Sequence, residues 1–149
     1  MKYLFAYPEK CTGCRLCAIA CSLKYFGECN PKKGAIGIAR DEYARFEFQF
    51  ICLQCDDPEC VAACMTGAMV KGEDGIVRRD EDKCIGCRMC SVACPYGAIN
   101  TFKGEIIKCD LCDGDPVCIK FCSTNAIVYE EENKELHDRR QRLVEVLSK

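Results

Sequence analysis

The sequence predicts an α+β fold: two interlocked halves of short hairpins and short helices built around bound metal, with a further helix at the C-terminus. Three observations carry this. Sixteen of the 17 cysteines fall into four groups of four. Three groups are followed by a similar phrase (MTGAM after Cys64, PYGAI after Cys94, STNAI after Cys122), each running into a short β-like stretch. From about residue 132 the apolar residues Leu136, Leu143, Val144 and Leu147 share one helical face.

The groups are Cys11, Cys14, Cys17, Cys21; Cys52, Cys55, Cys60, Cys64; Cys84, Cys87, Cys90, Cys94; and Cys109, Cys112, Cys118, Cys122. The first and third are compact and share glycine and arginine (CTGCRLCAIAC, CIGCRMCSVAC). The second and fourth are looped, with Asp-Pro or Asp-Asp-Pro before the third cysteine (CLQCDDPECVAAC, CDLCDGDPVCIKFC). A compact-plus-looped pair has been duplicated.

Between the groups, Gly67, Gly97 and Asn125 stand where a short helix is expected to end, because Gly and Asn tolerate the left-handed cap. AMVK, AINTF and AIVYE read as strands, and KGEDG (71–75) and FKGE (102–105) as hairpin turns. GAIGIAR and ARFEFQFIC read as a longer hairpin in which Phe46, Phe48 and Phe50 alternate with Glu47 and Gln49. The tail, 132–149, reads as an amphipathic helix. The expected organisation is one domain over 1–149, with an inner half of about 52–97 and an outer half of about 1–51 together with 98–131.

Composition excludes several classes. The net charge is −2, with 21 basic and 23 acidic residues intermixed, so no basic stripe favours nucleic acid. No apolar run approaches the ~18 residues of a membrane helix. MKYLFAY does not read as a secretory signal, which leads to the expectation of a cytoplasmic protein. In that compartment thiols stay reduced, so a disulfide framework is disfavoured and the cysteines read as metal ligands.

Three cysteines at C-x₂-C-x₂-C lie on one tight loop that can hold three corners of a cluster. A fourth, three residues on, is expected to begin a helix leading away and to serve a second cluster. This spacing is the [4Fe–4S] signature, and all sixteen ligands are present. Structural zinc needs two C-x₂-C knuckles and has no use for the third cysteine. An open-site radical enzyme would need C-x₃-C-x₂-C, which is absent. No dinucleotide fingerprint is present, and no residue is assigned a catalytic role. Outside the sixteen, Cys29 reads as a spare thiol, Arg15, Arg88 and His137 as solvated, Pro58 and Pro116 as shaping the looped groups, and Asp56, Asp57, Asp113 and Asp115 as turn formers.

On these motifs the chain resembles the four-cluster ferredoxin subunits that accompany molybdenum and tungsten pterin oxidoreductases. CTGCRLCAIAC and KCDLCDGDPVCIKFCSTNAI (108–127) are similar in particular to the small subunits of tungsten-dependent aldehyde oxidoreductases. Ser22, Met65 and Ser123 stand where that family commonly has proline after the fourth cysteine, which bears on helix starts and not on ligands. The resemblance implies ferredoxin-like halves, four [4Fe–4S] clusters and nested ligation. Cys11, Cys14 and Cys17 would share a cluster with Cys122; Cys109, Cys112 and Cys118 with Cys21; Cys52, Cys55 and Cys60 with Cys94; and Cys84, Cys87 and Cys90 with Cys64. The sequence alone also permits the first group to pair with the second. The short 65–83 stretch between groups two and three has hairpin length and favours nesting.

The resemblance further implies electron transfer between a larger catalytic subunit, with a tungsten or molybdenum pterin cofactor, and an acceptor or donor such as a nicotinamide/flavin subunit or a ferredoxin. The competing readings are a free-standing polyferredoxin, or a subunit serving a carbon monoxide dehydrogenase, formate dehydrogenase or hydrogenase. The aromatic hairpin and the amphipathic tail are candidates either for a docking surface or for covers over the chain's own clusters.

Overall fold

Every cysteine group feeds a helix that begins at the residue before its third cysteine. In the computed structural model, which describes residues 1–43 and 46–138, these are α1 (Leu16–Phe26), α2 (Glu59–Ala62), α3 (Met89–Ala93) and α4 (Val117–Lys120). The expectation that the fourth cysteine starts the helix is therefore corrected. The start is fixed one residue upstream, by left-handed Arg15 and Arg88 in the compact groups and by extended Pro58 and Pro116 in the looped ones. Third and fourth cysteines are thus four residues apart, a step of about 6 Å along a helix axis.

Only α1 runs on through its fourth cysteine, and buried Ser22 ties the extra turn to the loop that follows. At Cys94 the following Pro95 forces the backbone out of the helical region (ψ 111°), so α3 stops. Ser22 allows α1 to continue to Phe26. It is fully buried, its hydroxyl lies 2.9 and 2.7 Å from the carbonyls of Ile19 and Glu28, and it accepts the Asn30 N–H at 3.1 Å. Gly67, Gly97 and Asn125 are left-handed as expected, at φ 65°, 59° and 52°. They close turns onto the carbonyls of Cys64, Cys94 and Cys122, beyond the helices and not at their ends.

The strands form four antiparallel pairs among the described residues. β1 (Lys2–Ala6) pairs with β8 (Ile127–Glu131), from Lys2 opposite Glu131 to Ala6 opposite Ile127. β2 (Gly37–Asp41) pairs with β3 (Phe46–Phe50), β4 (Met69–Lys71) with β5 (Val77–Arg79), and β6 (Ile99–Phe102) with β7 (Glu105–Lys108). The expected hairpins are present. The β1–β8 pair was not expected, and it ties the first and last strands of the outer half together.

Cysteine is part of both cores. One packs Leu4, Ile36, Ile107, Leu111 and Ile127 with Cys17, Cys21, Cys52, Cys109 and Cys118; the other packs Met69, Val77, Ile99 and Ile106 with Cys60 and Cys90. β7 alternates between them, Ile106 facing one core and Ile107 the other. The inner half therefore completes its core with β6–β7, from beyond residue 97. Residues 134–138 are helical and Leu136 is buried; Leu143, Val144 and Leu147 lie outside the described residues.

Candidate metal centres

The fold brings the sixteen cysteines into four sets. Cys11, Cys14, Cys17 and Cys122 line one cavity, and Cys21, Cys109, Cys112 and Cys118 line another. In the inner half Cys60 interacts with Cys52, Cys55 and Cys94, and Cys90 with Cys84 and Cys64, while Cys87 is exposed on the loop between Cys84 and Cys90. Each set takes three cysteines from one group and the fourth from its partner group. Cys29 is exposed and belongs to none.

One backbone device recurs in all four loops. The residue before the second cysteine is left-handed: Gly13 (φ 67°), Gln54 (48°), Gly86 (68°) and Leu111 (57°). This conformation turns successive amides toward the concave side of a loop, where they favour negative charge. At Gly13 the demand is double, because a Cβ there would also lie 2.6 Å from Oε2 of Glu47. Amide N–H groups already reach sulfur at Cys11 (from Gly13, 3.4 Å), Cys21 (from Ala35, 3.3 Å) and Cys122 (from Ala126, 3.2 Å).

The thiols are unequal. Burial raises Cys17 and Cys60 to about 11 and Cys118 to about 12, with neighbouring sulfurs adding to the rise. Burial and the Cys52 sulfur push Cys109 well up. Cys64 and Cys122 go the other way. Burial works against them, but the N–H groups of Met69, Ala68 and Thr66, or of Ile127, Ala126 and Thr124, with the Thr66 or Thr124 hydroxyl, outweigh it. Thiols forced close together in a low-dielectric interior are stable as thiolates only with a cation among them.

Three polar side chains at these sets were invisible in the sequence. Gln49 faces the first set. Its strand turns the polar side inward: Gln49 is 2% exposed, while Phe48 and Phe50 are half-buried. Neither amide atom of Gln49 has a hydrogen-bond partner, and the side chain lines the cavity of Cys11, Cys14, Cys17 and Cys122. Gln54 bridges the halves: its amide donates to the Cys109 carbonyl and accepts from Val77 N–H, both at 2.9 Å. Lys108 donates from Nζ to Cys52 Sγ at 2.9 Å and to the Cys109 carbonyl at 2.8 Å. Burial works against its charge, but the sulfurs of Cys52, Cys109 and Cys60 outweigh it and raise its pKa.

These residues fit iron–sulfur clusters. The donors are all thiols, as such clusters require. Among the described residues no three Cys, His, Asp or Glu side chains converge as they would on one ion. The two outer sets instead line cavities, as suits a centre that contributes its own iron and sulfide. The orphaned Gln49 amide supplies a donor that such a centre would satisfy.

Comparison with known families decides the matter: residues 43–132 match the 4Fe-4S dicluster domain, and residues 8–25 match a 4Fe-4S binding domain. The chain belongs to the 4Fe-4S dicluster family. As a dicluster-family protein with sixteen grouped thiols, it carries four [4Fe–4S] clusters. It is 38% identical over 159 residues to the probable anaerobic dimethyl sulfoxide reductase chain YnfG of Escherichia coli K12, covering 89% of this chain and 76% of that one. It is also 38% identical over 123 residues to the polyferredoxin-like subunit of the aliphatic sulfonate oxidoreductase of Pyrococcus furiosus, covering 80% and 70%. Its fold matches a chain of the active site complex BamBC of benzoyl coenzyme A reductase as isolated (TM-score 0.51, 23% identity, covering 100% and 90%). It is an electron-transfer subunit of an oxidoreductase, not the catalytic one. Among the described residues no helix is long and apolar enough to cross a membrane.

The four sets of this dicluster protein are ordered by its helices. Cys17 and Cys21 lie one turn apart on α1, and Cys118 on α4 and Cys122 just past its end are likewise four residues apart, so the two outer sets are neighbours. The same spacing joins the inner sets through Cys60 and Cys64, and through Cys90 and Cys94. The halves meet where Cys52 and Cys109, both buried, interact. The sequence of sets is therefore 84/87/90/64, 52/55/60/94, 21/109/112/118, 11/14/17/122. Its two ends carry the exposed cysteines Cys87 and Cys14.

Proposed function

We propose that the four sets ligate the four clusters in the nested arrangement, and that the chain relays electrons between a catalytic molybdenum or tungsten pterin subunit and a second redox partner. Bound clusters supply one-electron transfer, and the chain's residues fix where it starts and stops. The observation that carries this reading is the contrast between ends and middle. Of the sixteen, the exposed Cys14 and Cys87 both lie in the end sets, whereas none of the eight middle cysteines is exposed and five (Cys21, Cys52, Cys60, Cys109 and Cys118) are buried. Around the ends, Ile85, Val92 and Met65 on one side and Leu16 and Phe121 on the other are apolar and exposed. Such rims are what a partner's surface covers. The formal charge of −2 becomes about −10 once four oxidised clusters and their thiolates are counted, so a salt-labile encounter with a shuttle would be electrostatic, whereas an apolar rim supports binding that persists in salt.

For the partner, we infer a tungsten-dependent aldehyde oxidoreductase, supported by the likeness of the first and fourth cysteine groups to the small subunits of those enzymes. The names of the relatives favour a second reading, a catalytic subunit acting on a sulfoxide or sulfonate. The test is purification of the native protein at high salt, followed by size-exclusion chromatography, metal analysis and assay with aldehyde, sulfoxide and sulfonate substrates. Co-elution with a tungsten- or molybdenum-containing pterin subunit is expected, and elution as a lone chain of 16.7 kDa with sixteen irons refutes the subunit assignment in favour of a free ferredoxin.

A further inference from the structure

Three of the four cysteine groups are directly preceded by a lysine: Lys10, Lys83 and Lys108. Lys10 is exposed over the Tyr7 ring, and Lys83 is exposed beside Asp80. Lys108 differs. It ends β7 and turns inward, its ammonium 2.9 Å from the sulfur of Cys52 and 2.8 Å from the carbonyl of Cys109. Cys52 belongs to the inner half and Cys109 to the outer, so this cation stands at the junction of the two middle sets; Lys71 Nζ lies near the inner one too, but on the carbonyls of Cys55 and Asp56. At the same position before the second group the chain has Ile51, which is buried.

A metal–thiolate centre becomes more negative when it accepts an electron. A fixed cation in contact with its ligand stabilises the reduced form more than the oxidised one, and strongly so where water is excluded. Two neighbouring centres of like charge also repel, and a cation between them offsets that repulsion. We infer that Lys108 is a fixed positive charge that raises the reduction potential of the centre held by Cys52, Cys55, Cys60 and Cys94 and, to a smaller extent, that of the centre held by Cys21, Cys109, Cys112 and Cys118. Electrons then rest in the middle of the relay, not at its exposed ends. The tuning acts on a one-electron change in which no bond forms or breaks and no proton moves. It rests on the ligand assignment proposed above, which the signal altered by Cys55→Ser tests separately.

The experiment is an anaerobic, dithionite-driven redox titration of the full chain, followed by electron paramagnetic resonance. The proteins are wild type, Lys108→Met, Lys108→Gln (a donor without the charge) and Lys108→Arg (the charge on a different donor). A Cys55→Ser background marks the signal of the centre next to Lys108. Iron and sulfide near sixteen per chain in the proteins with all sixteen cysteines show that every centre is present whatever the potentials do. Downward shifts of one midpoint strongly and a second weakly in Met and Gln, with the two end centres unmoved and Arg close to wild type, are the expected result. Unshifted midpoints in Lys108→Gln, or equal shifts of all four, overturn the proposal. If the neutral variants fail to assemble a centre while Arg assembles all four, the requirement for charge is upheld; if Arg fails as well, packing is responsible and the proposal falls.

Discussion

Gln54 is the side chain whose loss should separate the halves most directly. It is 1% exposed, and its amide spans from the Cys109 carbonyl in the outer half to Val77 N–H in the inner one, 2.9 Å on each side. Gln54→Leu keeps the shape but strands the Val77 N–H in a site water does not enter, while the Cys109 carbonyl keeps its Lys108 donor. A stranded buried group costs about 1–3 kcal/mol, so the variant should lose about that much stability. Gln54 is left-handed (φ 48°), but glutamine and leucine share that penalty, so it cancels in the comparison. The assay is anaerobic guanidinium unfolding of the loaded protein followed by cluster absorbance, together with hydrogen exchange at the Val77 amide. Protection of Val77 should fall by at least an order of magnitude while the amides that pair β1 with β8 stay protected. A loss below about 0.5 kcal/mol with Val77 still protected would show that the bridge contributes nothing beyond the exchange of one water contact for another.

Cys29→Ser should keep sixteen irons and all four sets of signals, whereas Cys87→Ser should lose or alter one centre; loss of a centre from the Cys29 variant would show the ligand assignment to be wrong. Gln49→Leu removes the one side-chain amide in the first cavity without charge change, so the midpoint potential of the Cys11, Cys14, Cys17 and Cys122 centre should fall alone, read by the same redox titration; an unchanged midpoint would mean the amide bonds elsewhere. Stripping iron with chelator and oxidant should abolish cooperative unfolding, because seven buried cysteines of the core would then face each other with nothing between them. A sharp thermal transition in the stripped protein would refute that.

The sixteen cysteines, the hairpins and the left-handed turns at Gly67, Gly97 and Asn125 were legible because each depends on a local rule: ligand spacing, turn chemistry or backbone sterics. What escaped depends on which way a side chain turns. Gln49 sits in FEFQF, where alternation identifies two faces but not which is inside. Phenylalanine is the usual inward choice, and here a bound centre reverses it because the inside needs a donor. Lys108 looks no different in sequence from Lys10 and Lys83; only its position at the end of β7, against Cys52 of the other half, turns it inward. The helix starts of the compact groups were missed by five residues because left-handed Arg15 and Arg88 carry no compositional signal, glycine and asparagine being the usual occupants of that conformation.

Duplication explains why there are two like halves, but not how electrons cross between them. Within each half the crossing is a matter of helix geometry: third and fourth cysteines one turn apart bind adjacent sets, and the helices pack in pairs, α1 with α4 and α2 with α3. That arrangement is equivalent in both halves and sets no direction. At the junction the equivalence is broken. The residue before Cys109 is Lys108 and the residue before Cys52 is Ile51, so one ammonium serves two middle sets and contacts the sulfur of only one of them. A lysine at both positions would crowd two like charges into one buried site; an isoleucine at both would leave two anionic centres facing each other unscreened. One of each resolves the repulsion and at the same time makes the two middle centres unequal, which is what a relay needs if electrons are to pause at a defined place between its two ends.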